Sequence, residues 1–432
     1  MSYTADRKPA GPGGARSRLP TRVRWHVMAA LFALSFVTIV DRVSISAAKN
    51  DMAAELGIAD MTFGAVFGAF ALGYAIFMVP SGWLADRWGP RRFLALIVAL
   101  WSLFTLQTGL VSAVGVLIAV RFLFGAAEAG AYPAAARAIY GWLPARERGL
   151  ALGLLNTGSR LGAAIGLALM SASIASLGWR ASFFLLAVAG FLWAAWWLVW
   201  FRDDPRAKRG VSPAELELIG GADKARPLGK REGNWRELVS PQSGLILAQY
   251  FASNFTFFIC FSWLLPFLRS HYGLAAREAG LYASVPLYCG ALATWTSGLA
   301  VDALYRRGRP DLSRRLPAMT GFALAALTLA AASQATTAAA FIGCFALTTF
   351  GVDFTLSPSW SVCSDTGGRQ TGTLSAAMNT LGSIGSFASS VAFPWLLGQT
   401  GGASAYFFLA AALDVAAVFA WWRIRPAGSG GT

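Results

Sequence analysis

Ser81–Arg92 reads SGWLADRWGPRR, and Ser297–Gly308 reads SGLAVDALYRRG. Both open on Ser-Gly, set an aspartate five residues after the serine, and run on into arginines. Asp86 and Asp302 stand 216 residues apart, half of the 432-residue chain. Each copy closes the second long apolar stretch of its half. A repeat of this kind predicts two related halves with the working site between them.

The stretches flanking the two copies are apolar over the roughly 20 residues that a membrane crossing needs. The chain is 56% hydrophobic and 13% charged, with a mean hydropathy of +0.53. Soluble domains carry about 25% charged residues. Half that density cannot cover a globule of this size, so most of the surface faces something other than water. The 46 glycines, 17 tryptophans and 30 phenylalanines fit membrane helices. A soluble enzyme, a disulfide-built secreted scaffold and a disordered chain are excluded.

Twelve spans are predicted, at about 24–48, 61–84, 93–111, 115–140, 149–175, 180–201, 243–268, 277–303, 315–334, 337–362, 371–398 and 403–424. The expected architecture is an all-α membrane protein of twelve transmembrane helices in two pseudo-symmetric six-helix halves, 24–201 and 243–424. Residues 1–23, rich in Gly, Pro and Arg, read as a disordered cytoplasmic N-terminus, 202–242 as a cytoplasmic linker and 425–432 as a cytoplasmic tail. The first span outruns a signal-peptide core and carries Asp41 and Arg42, which argues against cleavage.

The net charge of +15 is explained by topology. Of 36 Lys and Arg residues, 28 fall on the side that holds both termini and the linker, 4 on the opposite side and 4 within spans. The positive-inside rule makes the first side cytoplasmic. The basic residues form no stripe interleaved with aromatics, so no nucleic-acid partner is expected. Cys260, Cys289, Cys344 and Cys363 contain no C-x-x-C pair, and His26 and His271 are far apart. Neither a metal nor a disulfide framework is predicted, and no cofactor. Without a G-x-x-x-x-G-K-[ST] run there is no ATP site, which leaves ion gradients as the energy source.

GWLADRWGPRR resembles the loop signature between the second and third helices of the major facilitator superfamily. In that setting Gly82 allows close helix approach. Asp86, with Arg87, Arg91 and Arg92 after the turn at Gly89, forms a charge network that can break and re-form. Four further stretches, Asp41–Ala48 (DRVSISAA), Arg121–Arg137 (RFLFGAAEAGAYPAAAR), Ser253–Leu268 (SNFTFFICFSWLLPFL) and Ser359–Gly385, are similar to the anion:cation symporter family. Its bacterial members include galactonate, hexuronate and glucarate permeases. The likeness covers nearly all of 24–424.

Asp41, Arg42, Arg121 and Glu128 are ionisable groups inside apolar spans, where charge is costly and normally faces a cavity and a partner. Arg121 and Glu128, two helical turns apart, share one face at about 10.5 Å. Adjacent Asp41 and Arg42 cannot face the same way. The resemblance implies that Asp41 and Glu128 are the protonation carboxylates, Arg121 the cation coupled to them, and Arg42 the residue that grips the substrate carboxylate. Burial and a nearby guanidinium act oppositely on a carboxylate's proton affinity, so moving the arginine switches it. A static buried network that only fixes packing is the plain alternative. Tyr74 and Asn379 match family hydrogen-bonders to the substrate. Asn254 and Trp360 sit where the family lines its cavity and would serve equally as packing.

Two departures stand out. Family sugar-acid permeases often carry Gln-Tyr where this chain has Ser159-Arg160. Arg160, if it faces the cavity, is a second cation for a second carboxylate, as in an aldarate; otherwise it pairs with Asp353. Span five also carries a close-packing G-x-x-x-G pattern at Gly158, Gly162 and Gly166. Pro133, Pro266 and Pro286 fall inside spans. The expected function is a non-enzymatic secondary active transporter of the inner membrane, monomeric, importing an organic anion by proton symport with alternating access. A sugar acid (hexuronate, aldonate or aldarate) is the expected cargo. The rivals are a carrier of small or aromatic dicarboxylates on the same scaffold, an exporter of metabolites or drugs, and a membrane sensor.

Overall fold

The computed structural model of the chain describes residues 20–220, 240–367 and 371–425. Residues 1–19 of the expected disordered N-terminus, 221–239 of the linker, Arg369 and 426–432 of the tail lie outside the described residues, as does the Asp86 side chain.

Every regular element described is helical. In the first half α1 spans Val23–Leu56, α2 Asp60–Leu110, α3 Val114–Glu128, α4 Ala131–Trp142, α5 Ala145–Leu177 and α6 Trp179–Trp200. α7, Pro213–Gly220, lies in the linker region. In the second half α8 spans Pro241–Ser262, α9 Leu264–His271, α10 Ala276–Arg306, α11 Pro310–Ala332, α12 Ala338–Phe354, α13 Leu356–Gly367, α14 Thr371–Thr400 and α15 Ser404–Arg423. Among the described residues, eleven segments are long and apolar enough to cross a membrane. The remaining predicted span is α10, 31 residues long but diluted by Arg277, Glu278, Asp302 and Arg306. It begins 216 residues after α2, in register with the repeat.

α2 holds two of the predicted spans and turns between them at Gly89, whose φ of 77° suits a residue without Cβ. Asp203, just after α6, braces the turn by accepting from the Arg91 N–H at 2.8 Å, while Arg91 Nε donates to the Leu198 carbonyl. Gly308 makes the equivalent left-handed turn before α11 (φ 72°).

Three spans are broken, each one turn before a proline. Span four breaks between α3 and α4 ahead of Pro133, span seven between α8 and α9 ahead of Pro266, and span ten between α12 and α13 ahead of Pro358. Proline has no N–H to give the preceding turn and its ring clashes with that turn's carbonyl. Pro286 sits inside the unbroken α10.

Close approach at Gly82 is not found, since a Cβ there would meet nothing within 4 Å. The tight contact between spans two and four is made instead by Gly73 and Gly125, whose Cβ atoms would stand 2.1 Å from the Phe122 carbonyl and 2.2 Å from the Phe70 carbonyl. Gly158, Gly162 and Gly166 pack α5 against Phe32, Phe36 and Val40 of α1.

The halves meet through α2 against α14 and α5 against α10, pairs related by the repeat. They close at the end remote from the termini. There Ser46 donates to the Ser262 carbonyl at 2.7 Å, Arg269 pairs with Asp51 at 2.7 Å, and Phe67 meets Trp263 edge-on. Buried Lys49 pairs with Asp60 and lies 5.4 Å from the Trp263 ring. At the other end α7 docks on the start of α1. Glu215, fully buried, accepts from Thr21, Val23 N–H and Arg24. Part of the expected linker is thus a built element.

Candidate functional site

A cavity of about 710 Å³ lies between the halves. It is lined along α2 from Phe70 to Met78, along α5 from Leu152 to Arg160 and along α8 from Tyr250 to Phe261. These positions run from mid-bundle toward the end that carries the termini, opposite the Ser46–Ser262 closure. Two of the broken spans supply its wall directly at the break. Tyr132 and Pro133 begin α4, and Asp353 and Leu356 flank the Thr355 break.

Arg42 comes off the middle of α1 into this wall. Its Nε donates to Glu128 Oε1, and Glu128, the last residue of α3, is wholly buried. The guanidinium also lies 4.7 Å from the Tyr74 ring centre and 5.1 Å from that of Phe70. Arg42 Nη2 and Glu128 Oε2 have no hydrogen-bond partner among the described residues. The pair therefore keeps donor capacity in reserve at the cavity edge.

Arg121 is set further in. It shares with Arg42 only a crevice of about 10 Å³, walled by Phe67, Phe70, Phe258 and Phe261, room for roughly one water. Its guanidinium stacks on Phe124 (4.6 Å) and Phe70 (5.3 Å), and no direct ion pair joins it to a carboxylate among the described residues. Asp41 faces away from Arg42, as adjacency on a helix requires. Thr105 donates to its Oδ1 at 3.3 Å, and Glu128, Arg121 and Trp101 are further neighbours. Glu128, predicted to work with Arg121, is thus held here by Arg42.

Tyr74, Asn379, Asn254, Trp360 and Arg160 all line the cavity. Asn254 Nδ2 is turned back to the Tyr250 carbonyl at 2.9 Å, and Trp360, 40% exposed, meets Tyr250 edge-on. Arg160 Nη2 donates to Asp353 Oδ1 at 2.8 Å, and both residues face the cavity, so facing the cavity and pairing with Asp353 are not alternatives here. Around the turn motif, Arg87 stacks on Trp83 (5.4 Å) and Arg92 is exposed.

Several lining residues were not singled out in the sequence. Tyr132, hydrogen-bonded to Ser159, sits inside the E-A-G-x-Y-P motif and was within reach of that signal. Ser383 lies inside the Ser359–Gly385 stretch, while Tyr250 and Asn156 carry no sequence mark. Asp414 on α15, fully buried and hydrogen-bonded by Thr256 at 3.1 Å to both oxygens, is an intramembrane acid outside the cavity lining.

The family description "Major Facilitator Superfamily" matches residues 31–390. The "Probable sulfoacetate transporter SauU" of Cupriavidus necator is 29% identical over 407 residues, covering 94% of each chain. The "Probable galactarate/D-glucarate transporter GudP" of Bacillus subtilis is 30% identical over 420 residues, 93% of this chain and 91% of its own. The "Probable L-galactonate transporter" of Escherichia coli is 30% identical, covering 88% of this chain and 83% of its own. Among solved structures, a bacterial homologue of the human lysosomal transporter Spinster, inward-facing and occupied, aligns with a TM-score of 0.75 at 18% identity. It covers 92% of this chain and 96% of its own, a likeness of fold alone.

Proposed function

We propose a function from one premise: this chain belongs to the Major Facilitator Superfamily, a family of membrane transporters and not of enzymes. On that premise it is a secondary active importer of an organic anion, most simply a sugar acid, coupled to proton entry and working by alternating access. Both termini are cytoplasmic in this reading, and the closed end faces outward.

The observation that carries the reading is Arg42. A guanidinium at the cavity edge, with a free donor and a buried carboxylate behind it, suits a carboxylate guest, which it grips through two parallel hydrogen bonds. When the guest takes Arg42, Glu128 loses its counter-charge inside apolar surroundings and takes a proton. Arg121 lies next in line through the crevice, and Asp41 is one of its neighbours beyond it. Tyr74, Asn379 and Ser383 offer hydrogen bonds for hydroxyls without added charge. The named cargoes of the relatives are organic acids, and one of them, sulfoacetate, is small and doubly acidic, which favours a small dianion as the second reading.

Coupling has an electrical reason. Moving one charge through 100 mV is worth about 2.3 kcal/mol, so an inside-negative potential opposes a lone anion. Entry with more protons than the cargo has charges reverses the sign. Proteoliposomes with an imposed pH gradient test this, using galactonate, glucuronate, glucarate, sulfoacetate, tartrate and phthalate. Accumulation of at least one acid with proton influx is expected, and Asp41→Asn should remove accumulation against the gradient while exchange persists. Absence of flux for every acid in folded protein would overturn the reading.

A further inference from the structure

Arg160 and Asp353 come from different halves, on α5 and α12, and meet at the cavity wall. The pair Arg42–Glu128 lies within the first half. Asp353 is 2% exposed, and its Oδ2 has no hydrogen-bond partner among the described residues. It reaches this place only because α10 carries glycine opposite it, since a Cβ at Gly290 would stand 2.1 Å from Oδ2. A buried carboxylate with one oxygen unused is a poor structural strut, because the unsatisfied atom keeps its desolvation cost. Arg160 is the accessible member. It lies beside Asn156 and Ser159, with its guanidinium 4.9 Å from the Phe257 ring centre, and Asp353 is its one hydrogen-bond partner among the described residues. A guanidinium has five donors, so most of its capacity is open.

We infer that Asp353 is a built-in competitor for a second acidic group on the cargo, holding Arg160 while the cavity is empty and yielding it to an organic dianion whose other group sits on Arg42. The inference rests on the organic-anion reading of the cavity. In the empty cavity each of these two guanidiniums is neutralised by one carboxylate of the protein. A monoanion exchanges with Glu128 alone and leaves the link between the halves intact. A dianion exchanges with both carboxylates, breaks the link, and takes one proton onto each displaced carboxylate to keep the wall neutral. Around Asp353, α5 presents Arg160 and α8 presents Tyr250 and Cys260. α10 presents Gly290, and α11 packs through Gly321 against Gly351. Arg160 is therefore the one cation Asp353 faces among the described residues. The cargo class is a short polar carbon chain with two acidic groups, carboxylate or sulfonate.

The test is calorimetric binding to the full-length protein in nanodiscs, with two matched pairs of probes. D-Glucarate is set against L-galactonate, and sulfoacetate against glycolate. The wild type should prefer the dianion of whichever pair it binds. Arg160→Gln should lower the dianion-to-monoanion affinity ratio about tenfold or more, the worth of one charge-assisted contact. Asp353→Asn should raise the ratio, since the competitor is gone. The double variant Arg160→Gln/Asp353→Asn leaves no lone buried charge, which guards against misfolding, and should give the low ratio. An unchanged ratio in the double variant, with the acids still binding, would make the pair a packing strut and overturn the inference. Failure of the wild type to bind any of the four probes would instead remove the organic-anion reading, and this inference with it.

Discussion

The two halves share a scaffold and differ in chemistry, and spans one and seven show how. Ser46 and Ser262, 216 residues apart, touch, and α2 and α10 begin in the same register. In that register the counterparts of Asp41 and Arg42 are Phe257 and Phe258. The first half carries Arg42, Arg121, Glu128 and Asp41 in one cluster, while the equivalent face of the second is an aromatic wall. The second half keeps its acids apart, Asp353 against the opposite half and Asp414 on Thr256. Charge in an apolar span is costly wherever it sits. Concentrating it in one half lets the carboxylates and guanidiniums answer for one another, and leaves the other half to supply shape, neutral hydrogen bonds and the single carboxylate of Asp353 against Arg160.

The sharpest way to break this comparison is Arg42→Ala. It removes the proposed grip on the cargo and strands Glu128, a loss of about 3–5 kcal/mol for a broken buried pair. Uptake into proteoliposomes should fall by at least about a hundredfold. Phe258→Ala, on the matching turn of α8, should cost far less. Comparable losses in the two variants would mean that the aromatic wall, not the cluster, does the chemistry.

A middle-sized effect is expected from packing. Gly290→Ala drives a methyl into Asp353 and should destabilise the protein by about 1–3 kcal/mol. Gly82→Ala, in open space in the first half, should stay within about 0.5 kcal/mol. Thermal melts in one detergent compare them, and equal shifts would show that Asp353 is not pinned against α10. The smallest effect belongs to Arg269→Gln at the closed end. Its pair with Asp51 is partly exposed, so about 0.2–1 kcal/mol is at stake, read as faster thiol labelling of a cysteine placed at Asn50. Slower labelling would contradict a latch between the halves there.

Much of the fold was legible because hydropathy and the repeat are one-dimensional signals. The span at 277–303 is legible from its apolar length despite the polar ends of Ala276–Arg306, and its place matches the repeat. The helix breaks were less legible. Pro133 and Pro266 were seen in their spans, but Pro286 looked the same in sequence and bends nothing sharply enough to end a helix. Pro358, at the third break, lies near the end of its apolar stretch and carries no mark that sets it apart from Pro286. Of the site, the ionisable residues stood out because apolar surroundings make a charge conspicuous. Their pairings stood out only as alternatives, as with Arg160 and Asp353. Whether Glu128 meets Arg42 or Arg121, and whether Arg160 reaches Asp353 from the other half, depends on how helices far apart in the chain pack. Tyr250 and Asn156 are ordinary residues until the cavity gathers them.

The contact between Ser46 and Ser262 carries one more consequence. A residue on a two-fold axis touches its own copy, so in a symmetric pair of separate half-chains any change there is made on both sides at once. Fusion into one chain lifts that constraint. Here the Ser46 hydroxyl reaches across to the Ser262 carbonyl, while the Ser262 hydroxyl turns back to the Phe258 carbonyl of its own helix. The two serines are identical in kind and already unlike in what they do. Joining the halves is what frees one gene segment to acquire charge while its twin acquires rings.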